Sequence, residues 1–229
     1  FYAILISVVT ATSYGFVFSG VNARGYSIIM AVAIWNAILL QNIIKLKGLT
    51  ANNALMLFII NILGIISIPT SVVSTISLII PFLYSAIIKN RYVLTAFGLL
   101  LTVLLSSLIS SFIYNISLPI RILGISQSIA NQETNIFLLF LDKIAYWMND
   151  GGFIIIKIAI YFYLTIGFYS IYKKNKLLFS FHIIIVLLSS LVHWKSGMNS
   201  FWYSSMGMMF IPIISSIGFI NSIEIFRIN

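Results

Sequence analysis

Cysteine is absent from this sequence, which excludes disulfides, thiolate nucleophiles and cysteine metal sites outright. Acid is nearly absent too: Glu133, Asp142, Asp150 and Glu224 are the only four carboxylate side chains in 229 residues. With just two histidines, His182 and His193, little remains to build a metal centre, and neither a metal nor a cofactor is expected. Charge of either sign is scarce, at 7% of residues, where a soluble domain carries about 25%. A water-facing surface cannot be made from so little. What the chain has instead is apolar length, with 61% hydrophobic residues and a mean hydropathy of +1.10. The composition implies an all-α, polytopic membrane protein. A formal net charge of +9 would suit nucleic acid, but the cations sit in short clusters between apolar runs, so nucleic acid is not expected as a partner.

A crossing helix needs about 20 apolar residues. About eight candidate spans can be marked, at 2–19, 26–44, 52–68, 71–88, 92–114, 152–172, 177–194 and 201–220. They form one transmembrane domain over 1–229. The chain starts at Phe1 inside an apolar run and reads as a fragment lacking its true N-terminus. Ile68-Pro69-Thr70 separates the third and fourth spans as a tight turn, since Pro ends one helix and starts the next. If the spans alternate, Lys45, Lys47, Lys89, Arg91, Lys173, Lys174, Lys176 and Arg227 share one side. Arg24, Arg121, Lys143 and Lys195 share the other, and Lys157 falls within a span. Eight against four is a positive-inside bias. It makes the Phe1 end cytoplasmic and turns the loop 115–151 outward.

That loop is the one long stretch that is not nearly all apolar, and it holds three of the four acids. Its first part, 116–135, is irregular and polar. From Asn135 to Met148 the apolar residues Ile136, Phe137, Phe140, Leu141, Ile144, Ala145 and Met148 repeat at helical spacing. At about 14 residues this helix is too short to cross, so it is expected to lie in the membrane interface with Trp147 at headgroup depth. Within the spans, Asn36, Gln41, Asn42 and Asn61 are expected to hydrogen-bond between helices, because an unpaired amide in lipid is costly. Ser71, Ser74 and Thr75, like Ser106, Ser107, Ser110 and Ser111, form small faces for close helix packing, with no base nearby to make any of them a nucleophile. Lys157, within two turns of the outer end, either snorkels outward or pairs with Asp150. His182 and His193 are eleven residues apart, about 16 Å along a helix, too far to share a metal.

The groups assigned to the outside are Arg24, Arg121, Glu133, Asp142, Lys143, Asp150, His193 and Lys195. This mixture of cations and carboxylates at a membrane surface suits a lipid-linked diphosphate. Arg or Lys would neutralise the leaving diphosphate, and a carboxylate or His would take a proton from the acceptor hydroxyl. For Arg24 alone, anchoring to headgroups is the simpler role.

Two stretches resemble the Wzy/EpsG-type polysaccharide polymerases, which join O-antigen or exopolysaccharide repeat units on the outer face of the bacterial inner membrane. Ser19-Gly20-Val21-Asn22-Ala23-Arg24-Gly25-Tyr26, opening a span, is similar to the family's Asn-x-Arg motif. Leu141-Asp142-Lys143-Ile144-Ala145-Tyr146 resembles the basic-x-x-Tyr segment at the end of the large outer loop. Asn199-Ser200-Phe201-Trp202-Tyr203 also resembles the family, without the Arg that members often carry there. A further departure is Ser67-Ile68-Pro69, where many relatives have a His. That role is either missing here or supplied elsewhere, with His193 as the candidate.

The resemblance implies a metal-independent, lipid-sugar-dependent glycosyltransferase of the bacterial inner (cytoplasmic) membrane. It would move a glycan from undecaprenyl diphosphate to a lipid-linked repeat unit. Arg24, Arg121, Glu133, Asp142 and Asp150 would be catalytic, and Asn22, Lys143, Tyr146, His193 and Lys195 would bind substrate. Its partners would be an undecaprenyl-diphosphate-linked oligosaccharide, the lipid bilayer and a chain-length regulator. A lipid-sugar flippase or transporter, or another membrane glycosyl- or acyltransferase, would fit the same composition. A transporter needs polar groups through mid-membrane, and mid-span charge is almost absent.

Overall fold

A computed structural model describes residues 2–13, 26–67, 71–114, 144, 148, 154–195 and 205–228, and among these there is no strand. The helices are α1 (Tyr2–Thr12), α2 (Tyr26–Leu46), α3 (Ala51–Ser67), α4 (Val72–Lys89), α5 (Val93–Tyr114), α6 (Ile154–Lys174), α7 (Lys176–Lys195), α8 (Ser205–Met208) and α9 (Phe210–Ile228). Four stretches are long and apolar enough to cross a membrane: Ser27–Leu46, Val72–Lys89, Val93–Phe112 and Ile154–Lys174. Shorter apolar helices run over Ala3–Thr12, Ala51–Ser67, Lys176–Ser190 and Phe210–Glu224. The chain is a helical membrane protein.

Short connections with identifiable caps fold the helices back on one another. Thr50 starts α3 by accepting the amide of Asn53 on its hydroxyl at 3.3 Å. Asn175 alone separates α6 from α7, and its side-chain oxygen accepts the amides of Leu177 at 2.9 Å and Leu178 at 3.1 Å. α4 ends on Asn90 in the left-handed region, which Asn tolerates better than most residues. The expected span 201–220 is instead two helices meeting at Met209, the second running on to Ile228. Pro212 is the reason. It has no N–H for the carbonyl of Met208 and its ring crowds that group, but it fits the first turn of a new helix.

Two groups of helices make the bundle. In one, α2 packs on α3 and α4, and α5 packs on α3 and α4. In the other, α9 lies along α6 and also meets α1, and α7 joins the two groups by touching α2, α4 and α6. The interior is apolar: Ile29, Leu40 and Ile43 of α2, Leu78 and Phe82 of α4, Phe181 and Ile185 of α7, and Ile211 and Ile214 of α9 are buried. α5 is peripheral, and Leu94 and Phe112 are 86% and 90% exposed. Such residues would be a liability in water; against lipid tails they cost nothing.

α6 and α9 cross where Gly167 and Gly218 face one another. A β-carbon at Gly167 would meet the carbonyl of Ile214, and one at Gly218 the carbonyl of Tyr163. Asn221 then donates to Ser170 Oγ at 2.7 Å further along the same seam. Small residues permit the backbone approach and an amide locks it.

Candidate functional site

The bundle has two distinct ends. Leu49 lies against Gly98, close after the start of α5, and the segment Lys89–Tyr92 shares a cavity with Tyr172 and Lys176. The turns carrying Lys45, Lys47, Lys89, Arg91, Lys173, Lys174 and Lys176 therefore gather at one end. At the other end Gly64, near the close of α3, packs against Ser71 and against Val32 in the first part of α2.

Arg24, Arg121, Glu133, Asp142, Asp150, Asn22, Lys143 and Tyr146 lie outside the described residues. His193 and Lys195 belong to the last turns of α7, of which the helical backbone is described. The structure thus describes the frame these residues attach to: the start of α2, two residues after Arg24, the end of α5 and start of α6 that bracket 115–153, and the end of α7. Each is the end of its helix remote from the lysine turns.

Below that end lies a buried polar cluster. Asn36 Nδ2 donates to Ser74 Oγ at 2.8 Å and to Thr75 Oγ1 at 3.4 Å, and Thr75 Oγ1 donates in turn to Asn61 Oδ1. Three helices are tied through four side chains, all buried. This is the interhelical role expected for Asn36 and Asn61. Gln41 and Asn42 differ: both are exposed, in the last turns of α2 beside Lys45. Ser74 and Thr75 of α4 thus do more than allow close approach; they are the partners of the amides.

The loop reaches the bundle at two described points. Ile144 and Met148 are helical, in line with the expected helix. Ile144 is 4% exposed and lines a groove of about 400 Å³ with Tyr161, Leu164 and Phe168 of α6 and Ile183, Val186 and Leu187 of α7. Leu164 and Val186 lie near the middle of their helices. Ile144 therefore packs against the bundle at the level of the middle of these two helices. Thr165 and Tyr161 are the polar members of this lining, and Leu187 is 48% exposed, so the groove opens sideways. Among the described residues, the lining of this groove is apolar apart from Thr165 and Tyr161.

His182 is an interior packing residue. Its ring stands edge-on to Phe181 and Phe210, with centroids 5.3 and 5.0 Å away, and its Nδ1 lies 2.7 Å from the carbonyl of Leu178. Lys157 is half-buried in the first turn of α6. No protein family, characterised protein or solved structure matches this chain.

Proposed function

We propose that this chain is a glycan polymerase of the bacterial inner membrane. It transfers a glycan from undecaprenyl diphosphate to a second lipid-linked repeat unit on the outer face. Arg24 and Arg121 hold the diphosphate as bidentate cations, and Glu133, Asp142 or Asp150 orients or deprotonates the acceptor hydroxyl. Asn22, Lys143, Tyr146, His193 and Lys195 line the sugar path. About eight spans carry the chain across the bilayer, with 115–151 outside. The gathering of seven Lys and Arg positions at one end supports that orientation.

The observation that carries the proposal is the sideways-open apolar groove that Ile144 helps to line. Asp142, Lys143 and Tyr146 are within two residues of Ile144 in sequence, and the groove has the right character for a polyprenyl tail. The test is Arg24→Ala and Arg121→Ala, each expressed in a polymerase-null host and scored by glycan ladder. Loss of long chains at wild-type protein levels is expected. Normal ladders from both variants would falsify the assignment, and repeat units trapped on the inner face after deletion would favour a lipid-sugar flippase.

A further inference from the structure

A larger cavity, about 590 Å³, opens at the lysine end between α4 and α7. Its lining brings together Lys89, Arg91 and Lys176, with Tyr84, Tyr92 and Tyr172, and among the described residues of that lining there is no carboxylate. Pro81 and Ile184, about two helical turns in from Lys89 and Lys176, make an apolar wall with Leu177. Three like charges surround one opening, and no carboxylate among the described lining residues balances them. An anion would.

The rim is built with some strain. Arg91 sits between Asn90 at φ 49° and Tyr92 at φ 61°, both in the left-handed region. Asn adopts it readily, but for a residue as bulky as Tyr it is an outlier that persists only when its surroundings fix it. Here they do. The Tyr92 ring packs edge-on to Phe82 with centroids 5.5 Å apart, and the Arg91 amide donates to the carbonyl of Ser85 at 3.2 Å. Lys176 Nζ stands 5.3 Å from the centre of the Tyr172 ring, a cation–π distance, and both residues line the same cavity. Topology charge alone explains cations at this end of the bundle. It does not explain a fixed turn, a cavity and an apolar wall beneath three of them.

We propose that this cavity binds the headgroup of an anionic phospholipid. Its phosphate would be held by Lys89, Arg91 and Lys176, and the upper part of an acyl chain would lie against Pro81, Leu177 and Ile184. The ligand chemistry is a phosphate carried on an apolar chain, at the depth where tyrosines and basic side chains meet headgroups. The site is at the opposite end from the outward-facing residues and does not depend on the polymerase reading.

The test is native mass spectrometry of the purified full chain in detergent. Phosphatidylglycerol and phosphatidylcholine of identical acyl composition would be supplied in equal amount, so that headgroup charge is the one variable. Wild-type protein should retain phosphatidylglycerol preferentially. Each cation removed by Lys89→Gln, Arg91→Gln or Lys176→Gln should weaken that retention about fivefold, and the three together should abolish the preference. Removing the same number of charges outside the cavity, by Lys45→Gln, Lys47→Gln and Lys173→Gln together, should leave it unchanged. Equal retention of both lipids by the wild type would overturn the proposal without recourse to any variant. So would equal losses from the two triple variants. Inorganic phosphate that binds as tightly as the lipid would assign the cavity to a free phosphate instead, and would equally overturn it.

Discussion

At the scale of single residues, the amides illustrate what a sequence of this kind reveals and what it hides. An Asn in an apolar run announces that it needs a partner, because its hydrogen-bonding groups find none in lipid tails. The sequence does not say which way the helix is rotated. Asn36 and Asn61 point inward and share Thr75, whereas Gln41 and Asn42 are exposed near the end of α2. Thr75 is the hinge of the cluster, since its hydroxyl both accepts from Asn36 and donates to Asn61. Thr75→Val keeps the shape and removes both bonds. It should lower stability by about 1–2 kcal/mol, given roughly 0.6 kcal/mol for an average interhelical bond in a membrane and about 1.7 at most. Thr75→Ser should retain most of that. Unfolding in mixed micelles with increasing SDS measures the difference; equal loss from Ser and Val would mean the hydroxyl contributes nothing.

At the scale of elements, apolar length is legible and helix pairing is not. The segments marked as spans three to seven match α3 to α7 within two residues at each described end. The partnership of α6 with α9 is not readable, because both helices are apolar around most of their circumference and carry no single stripe to aim them. Two glycines well apart in sequence decide it. Gly167→Ala and Gly218→Ala each place a methyl group against a backbone carbonyl, of Ile214 and Tyr163 respectively. Neither carbonyl can rotate away as a side chain could, so the helices must separate. Each substitution should cost about 1–3 kcal/mol, the usual range for overpacking. Gly48→Ala is the control, since nothing lies within 4 Å of the added carbon. The same SDS titration should rank Gly48→Ala near wild type and the other two well below it. The break in the last span escapes the sequence for a different reason. Phe201 to Ile220 reads as one apolar run, and the carbonyl that Pro212 displaces is a backbone event that hydropathy does not register.

At the scale of the whole molecule, the legible quantity is the distribution of charge between loops, because the cations mark helix ends even when the helices themselves look alike. The frame of the candidate site follows from that alternation: the ends of α2, α5, α6 and α7 next to the expected outer residues are all remote from the lysine turns. The side chains of the site do not follow from it. Any meeting of Arg24, Arg121, Glu133 and Asp150 depends on loop paths set by contacts, and no periodicity encodes those. The burial of Ile144 between α6 and α7 is likewise out of reach, since an apolar face on a short helix fits a lipid surface and a protein groove equally well. Sidedness can be tested directly, and the absence of native cysteine makes it simple. Single substitutions Asn90→Cys and Asn175→Cys fall in the turns that end α4 and α6, while Asn131→Cys falls within 115–151. A membrane-impermeant maleimide applied to intact cells should label Asn131→Cys alone, and the other two should react only once the membrane is opened. Two helices, α5 and α6, border the 115–151 stretch, and each has its far end at a lysine turn about 30 Å away along its axis. If all three positions label from outside, the alternating arrangement fails, and the carboxylates and guanidinium groups proposed for catalysis no longer share a compartment with the lipid-linked acceptor.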